Sequence, residues 1–372
     1  MVTGFDAKRA FHNRSGLGNY SRNLLKSFFR YYPENEYILY SPAGKNMIEF
    51  AGRENYILKS PEKPVHRAFP SLWRTKGISR QVIKDRPDIF HGLSSELPLS
   101  LEKSKVKTLV TVHDLIYLRY PALYRRIDRD IYYRKTKYAC VYSDHIIAIS
   151  EQTKSDIINY MGVIPSRISV IYQDCHPSFY NTSGSREKEE IKRKYSLPGN
   201  YLLYVGTIEE RKNLLNLIKA LEISNIDIPL VVVGRKTSYF KTVNEYIKKN
   251  RIKNIIFLEE VENTDLPSIY QGSSCFIYPS VFEGFGIPII EALVSAVPVI
   301  TSKGSCFREA GGPGSLYIDP DNPPELAEAL LKVTGDTSVA PLMISKGKEH
   351  AKKFRAELIA GRYMDLYRSL TG

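Results

Sequence analysis

Nowhere in the 372 residues does an apolar run reach the roughly eighteen needed to cross a bilayer as a helix. Met1-Val2-Thr3-Gly4-Phe5-Asp6 also lacks the charged, then apolar, stretch of a secretory leader. The expectation is a protein that neither spans a membrane nor carries a signal peptide. Cysteine is scarce: Cys140, Cys175, Cys275 and Cys306 are widely spaced with no CxxC pair. That spacing speaks against a zinc site and a disulfide framework, and places the chain in a reducing cytoplasm. No zinc-finger, RNP or glycine-clamp pattern is present, so nucleic acid is not an expected partner. No internal repeat stands out.

What is abundant is positive charge. The formal net charge of +13 is concentrated in the runs Arg119 to Lys137 and Arg186 to Lys194. Such runs either solubilise the protein or meet an acidic partner, and the expected partner is a cytoplasmic membrane surface bearing lipid-phosphate acceptors. The balance of 43% hydrophobic and 25% charged residues is that of a globular protein, and the length favours two domains over one.

Short apolar runs alternate with helical patterns from end to end, which predicts an α/β protein of βαβ units with mostly parallel sheets. The first half offers strands at Val2 to Asp6, Tyr37 to Tyr40, Ile89 to His91, Thr108 to His113, His145 to Ile149 and Ile168 to Ile171. The second offers Tyr201 to Gly206, Pro229 to Val233, Ile255 to Leu258, Cys275 to Tyr278, Val297 to Thr301 and Leu316 to Ile318. Each set suffices for one doubly wound, Rossmann-like domain. Asp174 to Lys194 has the composition of an exposed linker. The expected division is 1–178, 179–353, and a last amphipathic helix in 354–372.

The chemistry-bearing segment is Phe282-Glu283-Gly284-Phe285-Gly286-Ile287-Pro288-Ile289-Ile290-Glu291. Helical spacing resumes near Ile289, so Glu283 falls in a strand-to-helix loop and Glu291 about one turn into the helix. Gly284 and Gly286 permit positive φ and close backbone approach, so the amides of this turn, Phe285 and Ile287 included, can face an anion. Glu291, near a helix N-terminus, is expected to remain ionised and to accept hydrogen bonds from vicinal hydroxyls. The plainer alternative is a capping Glu283 and a solvated Glu291.

A second segment, Tyr201 to Gly206 followed by Thr207-Ile208-Glu209-Glu210-Arg211-Lys212-Asn213, reads as a buried strand, a turn and an amphipathic helix. Cations at a helix start oppose the macrodipole, so Arg211 and Lys212 await an anion such as a diphosphate, unless they form an exposed basic turn. In the first half, Gly16-Leu17-Gly18 opens a helix after the first strand, as a phosphate-facing loop or merely a tight turn. His113 ends a strand at its C-terminal edge, where ligands sit in open α/β sheets, and is expected to be exposed there unless structural.

Glu283 and Glu291 resemble the E-x7-E signature of the retaining glycosyltransferases of family 4. Gly206 with Arg211, Lys212 and Asn213, the Gly16/Gly18 turn, His113-Asp114, Pro87 to Gly92 and Ala148 to Glu151 resemble further segments of that family. The resemblance implies a GT-B fold, two Rossmann-like domains facing a cleft, with the last helix crossing back to the first domain. It implies hexosyl transfer with retention from a nucleotide diphosphate sugar. By the same resemblance His113 and Glu283 contact the transferred sugar, Glu291 the ribose, and Arg211 and Lys212 the pyrophosphate. The loop around Val261 and Glu262 falls to the base. Gly4 to Asn23 and His91 to Pro98 are similar to polysaccharide mannosyltransferases, implying GDP-mannose as donor and a lipid-linked surface glycan as acceptor.

No cofactor and no metal are expected. Two Asp-x-Asp matches, Asp128-Arg129-Asp130 and Asp319-Pro320-Asp321, read as structural. Ala296 stands where the family commonly has glycine, and Arg308-Glu309 where Pro-Glu is common. A sugar-nucleotide epimerase and a non-catalytic basic scaffold remain alternative readings, and the sequence leaves the oligomeric state open.

Overall fold

Short Val-, Ile- and Leu-rich runs, most of them followed by a helix that carries the chain back across the sheet, become the strands of two all-parallel sheets. The structure is a computed structural model that describes residues 1–42, 47, 48, 50, 52 and 55–372. Met1–Asp174 with Arg355–Gly372 form one compact unit and Cys175–Phe354 a second.

The first unit holds β1 (Val2–Asp6), β2 (Glu36–Tyr40), β3 (Ile57–Lys59), β4 (Ile89–Gly92), β5 (Lys107–Val112), β6 (His145–Ala148) and β7 (Ile168–Val170), in the order β3-β2-β1-β4-β5-β6-β7. Strand alternation sends Ile89, Leu109 and Ile147 to one face and Phe90, Val110 and Ile146 to the other, so a core forms on each side. Helix Gly16–Tyr31 lays Leu24, Leu25 and Phe28 on the first face. Helix Ala356–Thr371 joins it there, with Ile359, Ala360, Tyr363 and Tyr367 buried at helical spacing. Its tyrosines also find polar partners. Tyr363 Oη lies 2.8 Å from Tyr20 Oη, and Tyr367 Oη 2.6 Å from His91 Nδ1. The C-terminal helix thus returns to the first domain.

The second unit holds β8 (Leu202–Val205), β9 (Leu230–Val233), β10 (Ile255–Leu258), β11 (Cys275–Tyr278), β12 (Val299–Ser302) and β13 (Ser315–Ile318), in the order β10-β9-β8-β11-β12-β13. In both sheets the winding reverses beside the first strand, between β1 and β4 and between β8 and β11. Ligands of open α/β sheets bind at the carboxyl ends of the strands flanking such a reversal.

Two segments differ from expectation. β3 was not anticipated: it has three residues, lies at the sheet edge, and exposes Ile57, so no apolar run marks it. Within the expected linker, Ser185–Lys194 is a helix. Its buried residue is Ile191, and Glu187 in its first turn and Lys192, Arg193 and Lys194 in its last suit the macrodipole. Glu187 also accepts from Ser268 Oγ at 3.2 Å, on the neighbouring helix Leu266–Gln271.

Candidate active site

β8 runs out at Val205 and Gly206, where the backbone meets that of Gly234; a Cβ on Gly234 would lie 1.9 Å from Gly206 O. Beyond it, Glu210–Lys212 form one 3-10 turn and Asn213 takes a left-handed φ of 61°. Asn213 is buried and donates to Pro279 O (3.2 Å) and Pro320 O (2.7 Å), while Val281 N–H donates to Arg211 O (2.8 Å). These bonds fasten the loop after β8 to the loop after β11. Arg211 and Lys212 are therefore held at the winding reversal, one turn before helix Leu214–Ser224 rather than at its start.

Three donors converge on Glu283 Oε1: Arg211 Nη1 at 2.7 Å, Lys212 Nζ at 2.6 Å and Ser280 Oγ at 2.5 Å. Arg211 also donates to Glu209 Oε1 (2.6 Å) and to Phe282 O. Lys212 Nζ sits 4.8 Å from the centroid of Tyr278 and 2.5 Å from its hydroxyl. Burial by itself would raise the Glu283 carboxyl, but Lys212 and Arg211 outweigh it and hold the group down at about 2. For Lys212, burial and the Arg211 charge outweigh the attraction of Glu283, so its pKa is lowered. By their position in the sequence these cations await an anion. The structure supplies one from the chain itself.

The turn from Glu283 to Gly286 is braced from β12's following loop. Ser305 Oγ donates to Glu283 O (3.0 Å) and Cys306 Sγ to Phe285 O (2.6 Å). Gly286 has φ 121°, a value that side chains rarely adopt, and helix Ile287–Val294 follows with Pro288 in its first turn. Phe285 turns its ring into the core against Phe354, centroids 5.5 Å apart, so only its backbone is left for a ligand.

Glu291, in the second turn of that helix, stands apart from the ion cluster. It accepts from Tyr270 Oη at 3.0 Å and, among the described residues, makes no ion pair. Burial raises its carboxyl to about 7, with the Tyr270 bond opposing the shift. The expectation that it stays fully ionised at neutral pH is therefore corrected: desolvation without a cation outweighs the helix N-terminus. Val261 lies on the loop after β10, next to Glu262, whose carboxylate accepts from Lys194 (2.8 Å) and whose amide donates to Tyr195 Oη (3.2 Å).

In the first unit, Gly16 and Gly18 occupy the first turn of their helix rather than a loose loop. A Cβ on Gly18 would fall 1.8 Å from Asn13 O, whereas Gly16 faces open space. The helix has no acidic residue in its first turn and no side-chain cap, since Asn13 Oδ1 instead takes Ser15 N–H (2.6 Å). His113 is buried, not exposed as the strand-end position suggested. Its Nε2 donates to Leu93 O (2.9 Å), its Nδ1 lies 3.1 Å from the Gln173 amide nitrogen, and Tyr20 packs edge-on at 4.6 Å. Burial pulls the imidazole down to about 4, so it is neutral. At this reversal the sequence reading missed a charge network. Arg74, on helical chain between Pro64 and Asp85, reaches Asp6 at the end of β1 (2.5 Å) and Glu96 after β4 (3.2 Å). Trp73–Gly77 is a π-helical turn, and such turns have no sequence signature of the strength that glycines or prolines give.

Asp128 and Asp130 lie on helix Arg126–Tyr142, and Asp321 N–H donates to Asp319 Oδ1 (2.9 Å) in a turn before helix Pro323–Gly335.

Two doubly wound parallel sheets are the architecture of the GT-B fold, which solved structures share with this chain. The Anabaena protein HepE, solved with UDP and glucose, matches at TM-score 0.74 and 15% identity, covering 99% of both chains. Sucrose-phosphate synthase from Thermosynechococcus elongatus matches at TM-score 0.80 and 18% identity, covering 100% of this chain and 99% of that one. The sequence model for glycosyltransferase family 4 takes in residues 14–173, and that for glycosyl transferases group 1 takes in 186–350. The chain belongs to this glycosyltransferase family. Among its relatives, O-antigen chain mannosyltransferase B of Escherichia coli is 28% identical over 296 residues, 77% of this chain and 76% of the relative. O-antigen chain mannosyltransferase RfbU of Salmonella typhimurium is 31% identical over 215 residues, 57% of each.

Proposed function

We propose that this glycosyltransferase moves mannose from GDP-mannose, with retention, to a growing surface glycan on a lipid carrier at the cytoplasmic face of the membrane. The observation that carries the reading is the convergence of Arg211 and Lys212 on Glu283 at the carboxyl ends of β8 and β11. The names of the mannosyltransferase relatives support the sugar and the polysaccharide setting.

In this reading the donor diphosphate displaces Glu283 from the two cations. The freed carboxylate then accepts hydrogen bonds from the sugar hydroxyls, and Glu291 takes those of the ribose. The bond from the anomeric carbon to the diphosphate oxygen breaks as the bond to the acceptor oxygen forms, and the acceptor's proton passes to the departing diphosphate. Arg211 and Lys212 stabilise the charge that develops on it. With those cations in place the reaction needs no metal; activity lost in EDTA and restored by magnesium or manganese would overturn that clause.

The test is a thermal-midpoint panel of GDP, UDP, ADP, dTDP and their sugars, since a ligand of the folded state raises the midpoint. GDP-mannose should raise it most, and Lys212→Ala should abolish the rise. A response to another base reassigns the donor. Silence across the panel favours the scaffold reading.

A further inference from the structure

Four strand ends of the first unit close around His113. Its backbone follows β5, and its Nε2 faces the carbonyl of Leu93, after β4, at 2.9 Å. Its own carbonyl accepts from Thr153 Oγ1 (3.2 Å), in the first turn of helix Glu151–Met161 after β6. β7 supplies the last contact. Ile171 N–H donates to Ala148 O (3.0 Å), which carries the strand pairing one residue past Val170 and brings the buried Gln173 to the same edge of the sheet. There its side-chain amide nitrogen lies 3.1 Å from His113 Nδ1.

These contacts leave the ring one protonation pattern. A carbonyl oxygen only accepts, so Nε2 carries a hydrogen. A neutral imidazole has a single N–H, so Nδ1 is a bare lone pair that calls for a donor. Of the two ends of the Gln173 amide only the NH2 meets that demand, and the amide oxygen turns away. Burial keeps the ring neutral against the bond to Leu93 O, and the charge of Arg9, on the chain after β1, adds to the shift. Two further titratable groups face it uncharged: His91 on β4, itself pulled down to about 3 by burial, and Tyr20, whose hydroxyl bonds Thr111 (3.1 Å) and Tyr363 (2.8 Å). Asp114, next in the chain, accepts from the Ile116 amide (3.1 Å).

We propose that Gln173 is a positioning residue of this glycosyltransferase, whose amide holds His113 as the Nε2–H tautomer with Nδ1 an acceptor, at the carboxyl edge where ligands of open sheets sit. The ring then has no proton to give, because Nε2–H is spent on Leu93 O. It orients a hydroxyl group of a substrate and does not act as a general acid. That consequence rests on the function proposed above, while the tautomer does not.

The test uses the full chain with isotope-labelled histidine, the His113 signals among the seven histidines being assigned through His113→Asn. In the wild type Nδ1 should resonate as a bare nitrogen and Nε2 as a protonated one, unchanged from about pH 6 to about pH 8. Gln173→Glu sets an acceptor against Nδ1 while Leu93 O keeps the hydrogen on Nε2, so both nitrogens should be protonated at about pH 6. Its kcat, relative to the wild type at the same pH, should be down about tenfold there and recover as pH rises through the raised imidazole pKa. Gln173→Leu, which removes the donor without adding a charge, decides the matter if the buried carboxylate prevents folding. It should lower kcat in the wild type and add no further loss to His113→Ala, whereas a merely structural role would add in full.

An imidazolium or an Nδ1–H tautomer in the wild type overturns the proposal, as does a ring that stays neutral in Gln173→Glu. A loss of kcat in Gln173→Glu that is the same at every pH, or equal effects of Gln173→Leu with and without His113, would sink the positioning role alone. The expected tautomer in a chain inert toward every nucleotide sugar of the panel would remove the enzymatic reading and the positioning role with it.

Discussion

The two winding reversals share a topology and differ in charge order. In the first unit one buried guanidinium, Arg74, is held between two carboxylates, Asp6 and Glu96. In the second, one buried carboxylate, Glu283, is held between two cations. The first arrangement closes on itself: the cation is saturated and has nothing to offer a ligand. In the proposed reading the second is open to exchange, because a diphosphate would carry more negative charge than the single carboxylate it replaces. The topology decides where charge collects; the order of the charges decides whether a ligand can compete for it.

Removing the central group of each cluster exposes the contrast most sharply. Glu283→Ala leaves Lys212 buried without a carboxylate, while Arg211 keeps Glu209, and should cost about 3 to 5 kcal/mol of stability together with the activity. Chemical denaturation measures it, and a near-wild-type midpoint would dissolve the idea that Glu283 holds the cations in the resting protein. Lys212→Ala should be milder on the fold, since Arg211 still partners Glu283, yet lower turnover about 10² to 10³-fold. Steady-state rates with a nucleotide sugar and a glycan acceptor decide that.

On the other side of the comparison, Arg74→Ala leaves Asp6 buried without its partner while Glu96 keeps Lys135. A stability loss of about 3 kcal/mol is expected, with the midpoint rise caused by nucleotide unchanged. If nucleotide response vanished as well, the two clusters would not be the independent devices described here.

Within the second unit the paired glutamates repeat the contrast on a smaller scale. Glu283, lowered to about 2, contributes stability above its unfolded pKa that is lost as pH falls toward 2. Glu291 has the opposite sign: raised to about 7, it contributes stability below its unfolded pKa that is lost as pH rises through 7. Thermal midpoints between about pH 5 and pH 8 should therefore decline in the wild type and stay flatter in Glu291→Gln, a difference of about 1 to 2 kcal/mol. Parallel profiles for the two proteins would contradict the raised carboxyl.

Most of this layout can be read from the chain. Twelve of the strands announce themselves as apolar runs, because parallel strands buried on both faces carry no polar alternation to obscure them. β3 escapes, being three residues held by its pairing to β2 rather than by burial. Helix Ser185–Lys194 escapes because its charges resemble those of a linker, and only tertiary contact with Leu266–Gln271 identifies it. At the site, the loops after β8 and β11 are predictable neighbours once the strand order is known. That Arg211 and Lys212 grip Glu283 is not, since a spacing along the chain says nothing about which side chains meet across it. Tyr270, Ser280 and Cys306 carry no motif at all and emerge only from the packed structure.

Two helices, one in each unit, differ finally in how they end. Glu151–Met161 in the first stops at Gly162 with φ 65°, the residue best suited to a left-handed cap. Ile287–Val294 in the second turns through Ala296 with φ 61°, where Ala296 N–H donates to Leu293 O (3.2 Å) and Val297 N–H to Ala292 O (3.0 Å). A Cβ in that conformation is strained by about 1 kcal/mol, partly offset by the freedom that glycine loses on folding. Ala296→Gly should thus stabilise the protein by about 0.5 kcal/mol, and Gly162→Ala destabilise it by about 1 kcal/mol. Paired denaturation curves check both signs. Because Ala296 closes the helix that carries Glu291, a gain in stability accompanied by weaker nucleotide binding would mean that the strained cap sets the carboxylate's position.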